Sequence, residues 1–489
     1  MHEKRLIVIG AGISGLVSAV YAQRSGFRTL ILEKAANPGG VSTSWKRKGY
    51  TFEGGIHWLI GAREGLPLHD IWTETGALGP GNPVYYKDPI YTLVDAAGRV
   101  PLYRDLRRLK EVFPEDSAAI GRMCFHVACF RHFHPVVLDE RGLKVRYPRP
   151  FRLWEFIKMG PAVLLAPFLL LRSAGSYIDR FHNRRLRNLL RTVVDPEINA
   201  LSLIYTLSTF SAGDSGYPEG GSLRMASNMA DTFTALGGEI RYRTPALEIL
   251  REKGRAVAVR TEAGDIPCDA VIISADARSA IDHLFAAPLQ ERWARKMRKS
   301  LITSQCMFLG IGVQADLSSY PRSMVLPQAK PLHVGGLTLD LLTVNNYARE
   351  AAYAPEGCTT LTLILPGESY AFWAAARERG DYAQRKAETF EAVLQRLEKA
   401  IPEIQGKVQV WDLATPLTYQ RYCDTWDGSY MTQWLPRTLT PTAPIRYAPG
   451  IYFTGQRTSL SGGLPIAGTS GRITAQAVCK DFGAEFVSR

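Results

Sequence analysis

Gly10, Gly12 and Gly15 follow the pattern G-x-G-x-x-G, with Ser14 inside it and Glu33 further along the chain. These residue types at this spacing suit a dinucleotide. Gly10 allows a tight turn, Gly12 lets the backbone approach a pyrophosphate, and Gly15 lets a helix pack closely on a strand. Glu33 offers a carboxylate to ribose hydroxyls. Glycine loops are common, so the triplet alone is a weak signal and its flanks must supply the rest.

The flanks do so. Leu6-Ile7-Val8-Ile9 is a short apolar run of the kind that forms a buried parallel strand. Residues 16–25 read as a helix closed by Gly26, and Thr29-Leu30-Ile31-Leu32 as a second strand with Glu33 at its tip. The helix N-terminus of such a βαβ unit offers unpaired N–H groups and a positive dipole end to phosphates.

Three further segments point to FAD rather than NAD. Pro38-Gly39-Gly40 lies just beyond Glu33, and Phe52-Glu53-Gly54-Gly55-Ile56-His57-Trp58 adds a second glycine pair. At the far end, residues 451–454 read as a strand, followed by Gly455 and by Gly462-Gly463-Leu464-Pro465. A helix opens at about Pro465, a residue suited to the first helical position. Ala467, Gly468 and Gly471 keep its first turns thin, which suits a flat isoalloxazine ring beside a helix dipole. Small residues that only serve packing are the plain alternative. The chain has no second strand–G-x-G-x-x-G–helix unit, so the electron partner is expected to be the substrate, a quinone or oxygen.

The 489 residues, 46% apolar and 21% charged, make an ordinary globular composition and imply two or three domains. We expect residues 1–75, 215–290 and 445–489 to build the flavin domain, and 76–214 and 291–444 the substrate part. In the latter, 307–313 and 359–365 are strand-like, and 382–400 has helical periodicity ending at Ile401-Pro402. A mixed sheet with covering helices is expected there. The Pro/Gly-rich stretch 76–89 is the expected crossing between domains. Seven scattered cysteines without a Cys-x-x-Cys fit a reducing compartment and give no metal signature. The glycines interrupt the N-terminal apolar run, so no cleaved signal is read.

Net charge is +13, and residues 141–191 carry twelve Lys/Arg, Arg149 and Arg152 included, against Glu155 and Asp179. Within this window, residues 159–171 form an uncharged apolar segment, too short to span a bilayer. Trp154 and Phe156 precede it and Tyr177 follows. Basic flanks, aromatics and an apolar centre suit an element lying in an anionic membrane surface, with Leu165 and Leu169 as inserting residues. A buried core helix under a basic rim is the alternative. Nucleic acid is disfavoured, because the patch surrounds a greasy segment rather than base readers. The expected location is cytoplasmic, peripheral to a membrane. Residues 180–194 read as a helix whose Leu186, Leu189, Leu190 and Val193 stripe belongs to a core.

Taken together, the chain resembles the phytoene desaturase superfamily, and more narrowly its carotenoid isomerase and retinol saturase branch. The motifs that carry the resemblance span nearly the whole chain. They are the fingerprint through Gly40, the 52–58 segment, Tyr217-Pro218-Glu219-Gly220-Gly221 with Gly237-Gly238-Glu239-Ile240, the segment from Thr415-Pro416-Leu417-Thr418 to Gly428-Ser429-Tyr430, and 455–471. The resemblance implies an α/β fold: a Rossmann-type FAD domain assembled from both chain ends, an inserted mixed-sheet substrate domain and a helical membrane-facing part. It places Gly10, Gly12, Ser14, Gly15, Glu33 and Lys34 at the ADP moiety, and Gly39, Gly40 and Val41 at the pyrophosphate and ribityl chain. Gly54, Gly55 and Ile56 would run along the ring, Ala246 would meet the adenine through its backbone, and Gly455, Gln456, Gly463, Leu464 and Pro465 would contact ribityl and ring. Gln456, Val41 and Ser42 depart from residues common at these positions.

The implied reaction is desaturation, saturation or cis–trans isomerisation of carbon–carbon bonds in a hydrophobic isoprenoid, carotenoid-like or other lipid. Proton-moving candidates by motif position are Glu53, His57, Tyr217, Glu219 and Tyr430. Each has a plain alternative: Glu53 fixing its loop through backbone N–H groups, His57 packed in a loop, the tyrosines walling a pocket. Two other readings remain at this level: an amine-oxidase-like flavoenzyme for a small polar substrate, and a non-enzymatic lipid-binding module on the same fold, as in the Rab GDP-dissociation inhibitors.

Overall fold

The computed structural model describes residues 4–135, 137–148 and 153–489, so Arg149 and Arg152 of the basic window lie outside the described residues. Two sheets organise the molecule. The first has six strands in the order Glu239–Arg241, Arg28–Leu32, Arg5–Ile9, Ala270–Ile273, Ile451–Phe453 and Arg446–Ala448. All neighbours are parallel except the last pair. The central strand is apolar because both of its faces are covered: Leu6 and Val8 face one helical layer and Ile7 and Ile9 the other. Residues from both chain ends therefore meet in one core.

The helix Ile13–Arg24 begins earlier than its apolar periodicity suggests, directly at the glycine turn. It packs against the helix Leu464–Asp481. That contact explains the small residues of the C-terminal helix and corrects one expectation. A Cβ on Gly471 would press on the Ser14 carbonyl oxygen at 2.7 Å, and one on Gly468 on the Trp72 ring at 2.7 Å. Both glycines thin the helix for its protein neighbours, not for a flat ring.

The second sheet has seven strands, in the order Val408–Ala414, Cys306–Val313, Thr359–Pro366, Leu337–Asn346, Ser323–Val334, Tyr91–Asp95 and Gly98–Leu102. It is mixed, since Ser323–Val334 pairs parallel with Tyr91–Asp95 and antiparallel with Leu337–Asn346. The helix Tyr382–Ala400 covers it through Phe390, Val393 and Leu397. A small sheet of Leu59–Ile60, Ser215–Pro218 and Val84–Tyr85 is a third element. Residues 76–89, expected as a crossing, thus contribute a strand of their own.

Two helices in the basic window differ. Arg184–Val193 is capped by the Asn183 side chain, which accepts from the Arg185 and Leu186 N–H groups, and it buries Leu186, Leu189, Leu190 and Val193 as expected. Leu153–Leu170 contains Pro161 and Pro167. It buries Met159, Ala162 and Leu169, while Trp154, Ile157, Leu164 and Phe168, with Leu171 just past its end, are exposed. Both faces are apolar. Among the described residues, no helix is long and apolar enough to cross a membrane.

Candidate active site

The three fingerprint glycines occupy distinct environments. Gly10 has φ +102°, where only glycine is unstrained. A Cβ on Gly15 would overlap the Gly10 carbonyl oxygen. In front of Gly12 the space is open, with Ser274 Oγ at 3.9 Å the nearest atom to a Cβ there. The helix that starts after Gly12 has no side-chain cap and no acid in its first turn, so its N–H groups face that space. Ser14 Oγ shares a hydrogen bond with Ser274 Oγ at 2.9 Å, which ties the turn to the tip of the Ala270–Ile273 strand.

Glu33 is buried at the second strand tip. Its carboxylate accepts the Ala11 N–H at 2.7 Å and the Ala35 N–H at 2.7 Å, and burial raises its pKa. A carboxylate has about four acceptor positions, so two remain for ribose hydroxyls. Lys34, next to it, pairs with Asp424 at 2.5 Å. Gly39 donates to the Ala11 carbonyl at 2.9 Å, and a Cβ on Gly40 would stand 3.3 Å from Gly12 Cα. Gly40, Val41, Ser42, Gly54, Gly55, Leu464 and Pro465 are half-buried. Ser42 Oγ lies near Gly55 with no hydrogen-bond partner. In front of Gly463 a Cβ meets nothing nearer than Pro465 at 3.7 Å. Open space before Gly12 and Gly463, an uncapped helix start and an unpartnered serine fit a bound dinucleotide running from Glu33 towards residue 463.

Other expected contacts are differently placed. Ala246 is half-buried beside Thr244, whose N–H donates to the Glu33 carbonyl at 2.8 Å. Gln456 bridges the Thr432 N–H at 3.1 Å and the Tyr430 carbonyl at 3.1 Å, so both polar ends of its side chain are engaged by protein. Beside it, Arg457, which sequence reasoning passed over, makes a buried pair with Asp276 at 2.8 Å and donates to Thr432 and Ser429.

Glu53 is fully buried and surrounded by donors. Its Oε1 accepts from the Gly55 N–H at 2.8 Å, the Ile56 N–H at 3.0 Å and Ser222 Oγ at 2.5 Å; its Oε2 accepts from the Ser222 N–H at 2.8 Å and Tyr353 Oη at 3.3 Å. Burial raises its pKa and these donors oppose the shift. The carboxylate also caps the helix Gly221–Ala235. A Cβ on Gly221 would overlap Glu53 Oε2, which explains the glycine pair after Tyr217-Pro218-Glu219. Tyr217 Oη and Tyr353 Oη are 2.7 Å apart; because Tyr353 donates to Glu53, Tyr217 donates to Tyr353. Burial holds the Tyr217 pKa well above its usual value. Tyr430 is half-buried, desolvation raises its pKa, and its N–H donates to the Ser304 carbonyl at 3.0 Å. Glu219 is half-buried, 3.3 Å from Tyr85 Oη and 3.7 Å from Arg224.

His57 is the candidate whose ring keeps a free polar atom: Nδ1 lies 3.1 Å from Asn345 Nδ2, and the buried Nε2 has no partner. Burial, with Lys87 nearby, depresses its pKa to about 3, so the ring is neutral. Lys87 was not a candidate from sequence. Its ammonium donates to Ser323 Oγ at 3.3 Å, and burial, with Arg322 next to it, lowers its pKa to about 7. Nothing in the spacing of residues 76–89 marks this lysine; only the strand pairing brings it to the site.

The flavin containing amine oxidoreductase family matches this chain over residues 13–479. The chain belongs to this family. It is an FAD-dependent oxidoreductase, and its glycine-lined cleft suits that cofactor. Along 99% of its length it is 26% identical to the chloroplastic prolycopene isomerase of Daucus carota, covering 81% of that protein. It is 22% identical to the lycopene-forming phytoene desaturase of Pseudescherichia vulneris over 98% of this chain and 100% of that one. Rattus norvegicus all-trans-retinol 13,14-reductase is 24% identical, over 92% and 81%. The crystal structure of an oxidoreductase from Methanosarcina mazei shares the fold, with a TM-score of 0.60 at 16% identity over 97% of this chain and 100% of that chain.

Proposed function

We propose that this flavoenzyme desaturates, saturates or isomerises carbon–carbon double bonds in a hydrophobic isoprenoid or similar lipid taken from a membrane. The similarity along 92–99% of the chain to proteins named for carotenoid and retinol reactions carries this reading. FAD supplies hydride exchange when bound. The chain's own residues hold and orient. Gly10, Gly12, Gly39 and Gly40 admit the pyrophosphate, and Glu33 takes the ribose with its remaining acceptor positions. Glu53 acts as a positioning residue that fixes the Gly54–Ile56 loop. Tyr217 and Tyr430 form walls, and Glu219 stays outside the reaction. His57, with its unshared ring nitrogen, is the group suited to meet a proton.

We divide the chain into a flavin part and a substrate part, with residues 76–214 and 291–444 in the latter; the strands of the two large sheets support this division, and the small sheet of Leu59–Ile60, Ser215–Pro218 and Val84–Tyr85 joins the two parts. The exposed stripe of Trp154, Ile157, Leu164, Phe168 and Leu171 is the membrane-facing element. Steps of three, seven and four residues from Trp154 to Phe168 keep these four on one face of the helix. Basic Lys158 and Arg172 near it suit anionic headgroups. The enzyme would thus be peripheral, with its substrate entering from the bilayer rather than crossing water.

The purified protein is expected to be yellow, and Gly12→Val is expected to remain folded and lose FAD, because the valine side chain fills the open space. A folded, fully yellow Gly12→Val protein would show that the cofactor lies elsewhere. Anaerobic mixing of oxidised and reduced enzyme with a panel of lipids, followed by mass analysis, identifies substrate and direction; turnover of small amines with no lipid converted would refute the lipid reading.

A further inference from the structure

Four polar side chains from four different segments form one continuous line. Lys87 Nζ donates to Ser323 Oγ at 3.3 Å, Ser323 Oγ meets Asn345 Oδ1 at 3.1 Å, and Asn345 Nδ2 meets His57 Nδ1 at 3.1 Å. Ser323 and Asn345 face each other across neighbouring strands of the seven-stranded sheet, while His57 and Lys87 flank the small sheet. Asn345 and Ser323 are buried, and His57 Nε2 ends the line without a partner.

Such a line has a direction. A charged ammonium can only donate, so the Ser323 oxygen accepts from it and the serine proton goes to Asn345 Oδ1. The amide must then donate from Nδ2 to His57 Nδ1, and the ring proton sits on Nε2. With a neutral amine the opposite order becomes available. Ser323 donates to Lys87, the amide turns over to donate to Ser323, and its oxygen accepts from a protonated Nδ1. Nε2 then presents a lone pair.

We propose that Lys87 is a positioning residue whose charge, relayed through Ser323 and Asn345, sets whether His57 Nε2 presents a proton or a lone pair to the active site. This deepens the functional reading above, from which it takes the placement of His57 at the reacting face. The ring stays neutral in both states, since its pKa is about 3, and only the position of its proton changes. The groups facing Lys87 are Arg322, which with burial disfavours its charge, Glu350 and Glu53, which favour it, and the Tyr217 ring, whose centroid lies 5.9 Å from the ammonium; Arg322 is itself paired with Glu350 at 2.6 Å. The resulting midpoint is about 7, so the relay reverses as pH rises through neutrality. His57 Nε2 would then offer a hydrogen-bond donor to the reacting face on the acid side and a hydrogen-bond acceptor on the alkaline side.

The test is nitrogen NMR of the FAD-loaded protein carrying labelled histidine, with the His57 signals assigned by their loss in His57→Gln. Well below pH 7 the wild type is expected to show Nε2 as the protonated nitrogen, with the two ring-nitrogen shifts exchanging as pH passes 7. Lys87→Arg is expected to hold the acid-side pattern throughout, because its charge is permanent. Lys87→Met is expected to lose it at all pH values. Ser323→Ala breaks the line without removing the charge and is expected to abolish the transition, which covers a Lys87→Met protein that does not fold. A wild-type pattern that does not change with pH, or an unaltered transition in Ser323→Ala, overturns the proposal. Neither result depends on substrate turnover, so a wrong substrate class would show in the lipid assay and not here.

Discussion

The helices Leu153–Leu170 and Arg184–Val193 lie close in sequence and both belong to the most basic window of the chain, yet they are built on opposite rules. The second is an ordinary surface helix. Its leucine stripe is fully buried, and three of its four arginines are tied down: Arg185 to Asp95 at 2.9 Å, Arg191 to Asp179 at 2.5 Å and Arg187 to the Phe181 carbonyl at 2.8 Å. The first buries one apolar stripe and exposes another. Leu164 is 77% exposed and Phe168 70%, whereas Leu169 is 3%. A basic patch therefore does not by itself mark a binding surface, since part of its charge is spent inside the protein. What distinguishes the Leu153–Leu170 helix is the apolar face that the fold leaves uncovered.

Three experiments probe the difference. The largest effect is expected at Leu189 or Leu190. Aspartate at either position buries an unpaired charge and should prevent folding; alanine should cost about 2–5 kcal/mol in chemical denaturation. Stable aspartate variants would mean that this stripe is not core. Next comes the double substitution Leu164→Asp/Phe168→Asp, which should change stability by no more than about 0.5 kcal/mol per site while abolishing co-sedimentation with anionic liposomes. Undiminished binding would remove this face from the membrane proposal. Leu165→Asp/Leu169→Asp, which sequence alone suggested for this purpose, should instead reduce stability, because Leu169 is packed. The smallest effect is expected for Arg172→Gln: liposome binding weakened several-fold for anionic vesicles, unchanged for neutral ones, with the difference lost at high salt. Equal loss on both kinds of vesicle would count against an electrostatic role.

Local chemistry was legible in the sequence and distant meetings were not. The fingerprint, the strand tips, the helix Tyr382–Ala400 and the core stripe of Arg184–Val193 all follow from periodicity, caps and turn residues within a few positions of each other. The Leu153–Leu170 helix resisted the same reading. Two apolar faces leave no single stripe, and prolines at 161 and 167 suggest breaks, so sequence alone points to Leu165 and Leu169 rather than to their exposed neighbours. Gly468 and Gly471 are ambiguous in sequence, because small residues suit a flat ligand and a close helix equally well. Lys87 lies 236 residues from Ser323, its hydrogen-bond partner, and no local pattern encodes that distance.

Glu53 shows what such distances mean for assembly. Its carboxylate bonds to residues two and three positions away, to Ser222, 169 positions away, and to Tyr353, 300 positions away. During synthesis, a chain that has released only its first half holds the near donors and Ser222 but not Tyr353, so the donor set around the carboxylate is incomplete. The set is completed only when the segment carrying Tyr353 arrives. The loop expected to lie along the flavin is thereby locked last, by contacts of high sequence separation that form slowly. The same residue that holds the finished site rigid also delays its completion until most of the chain is present.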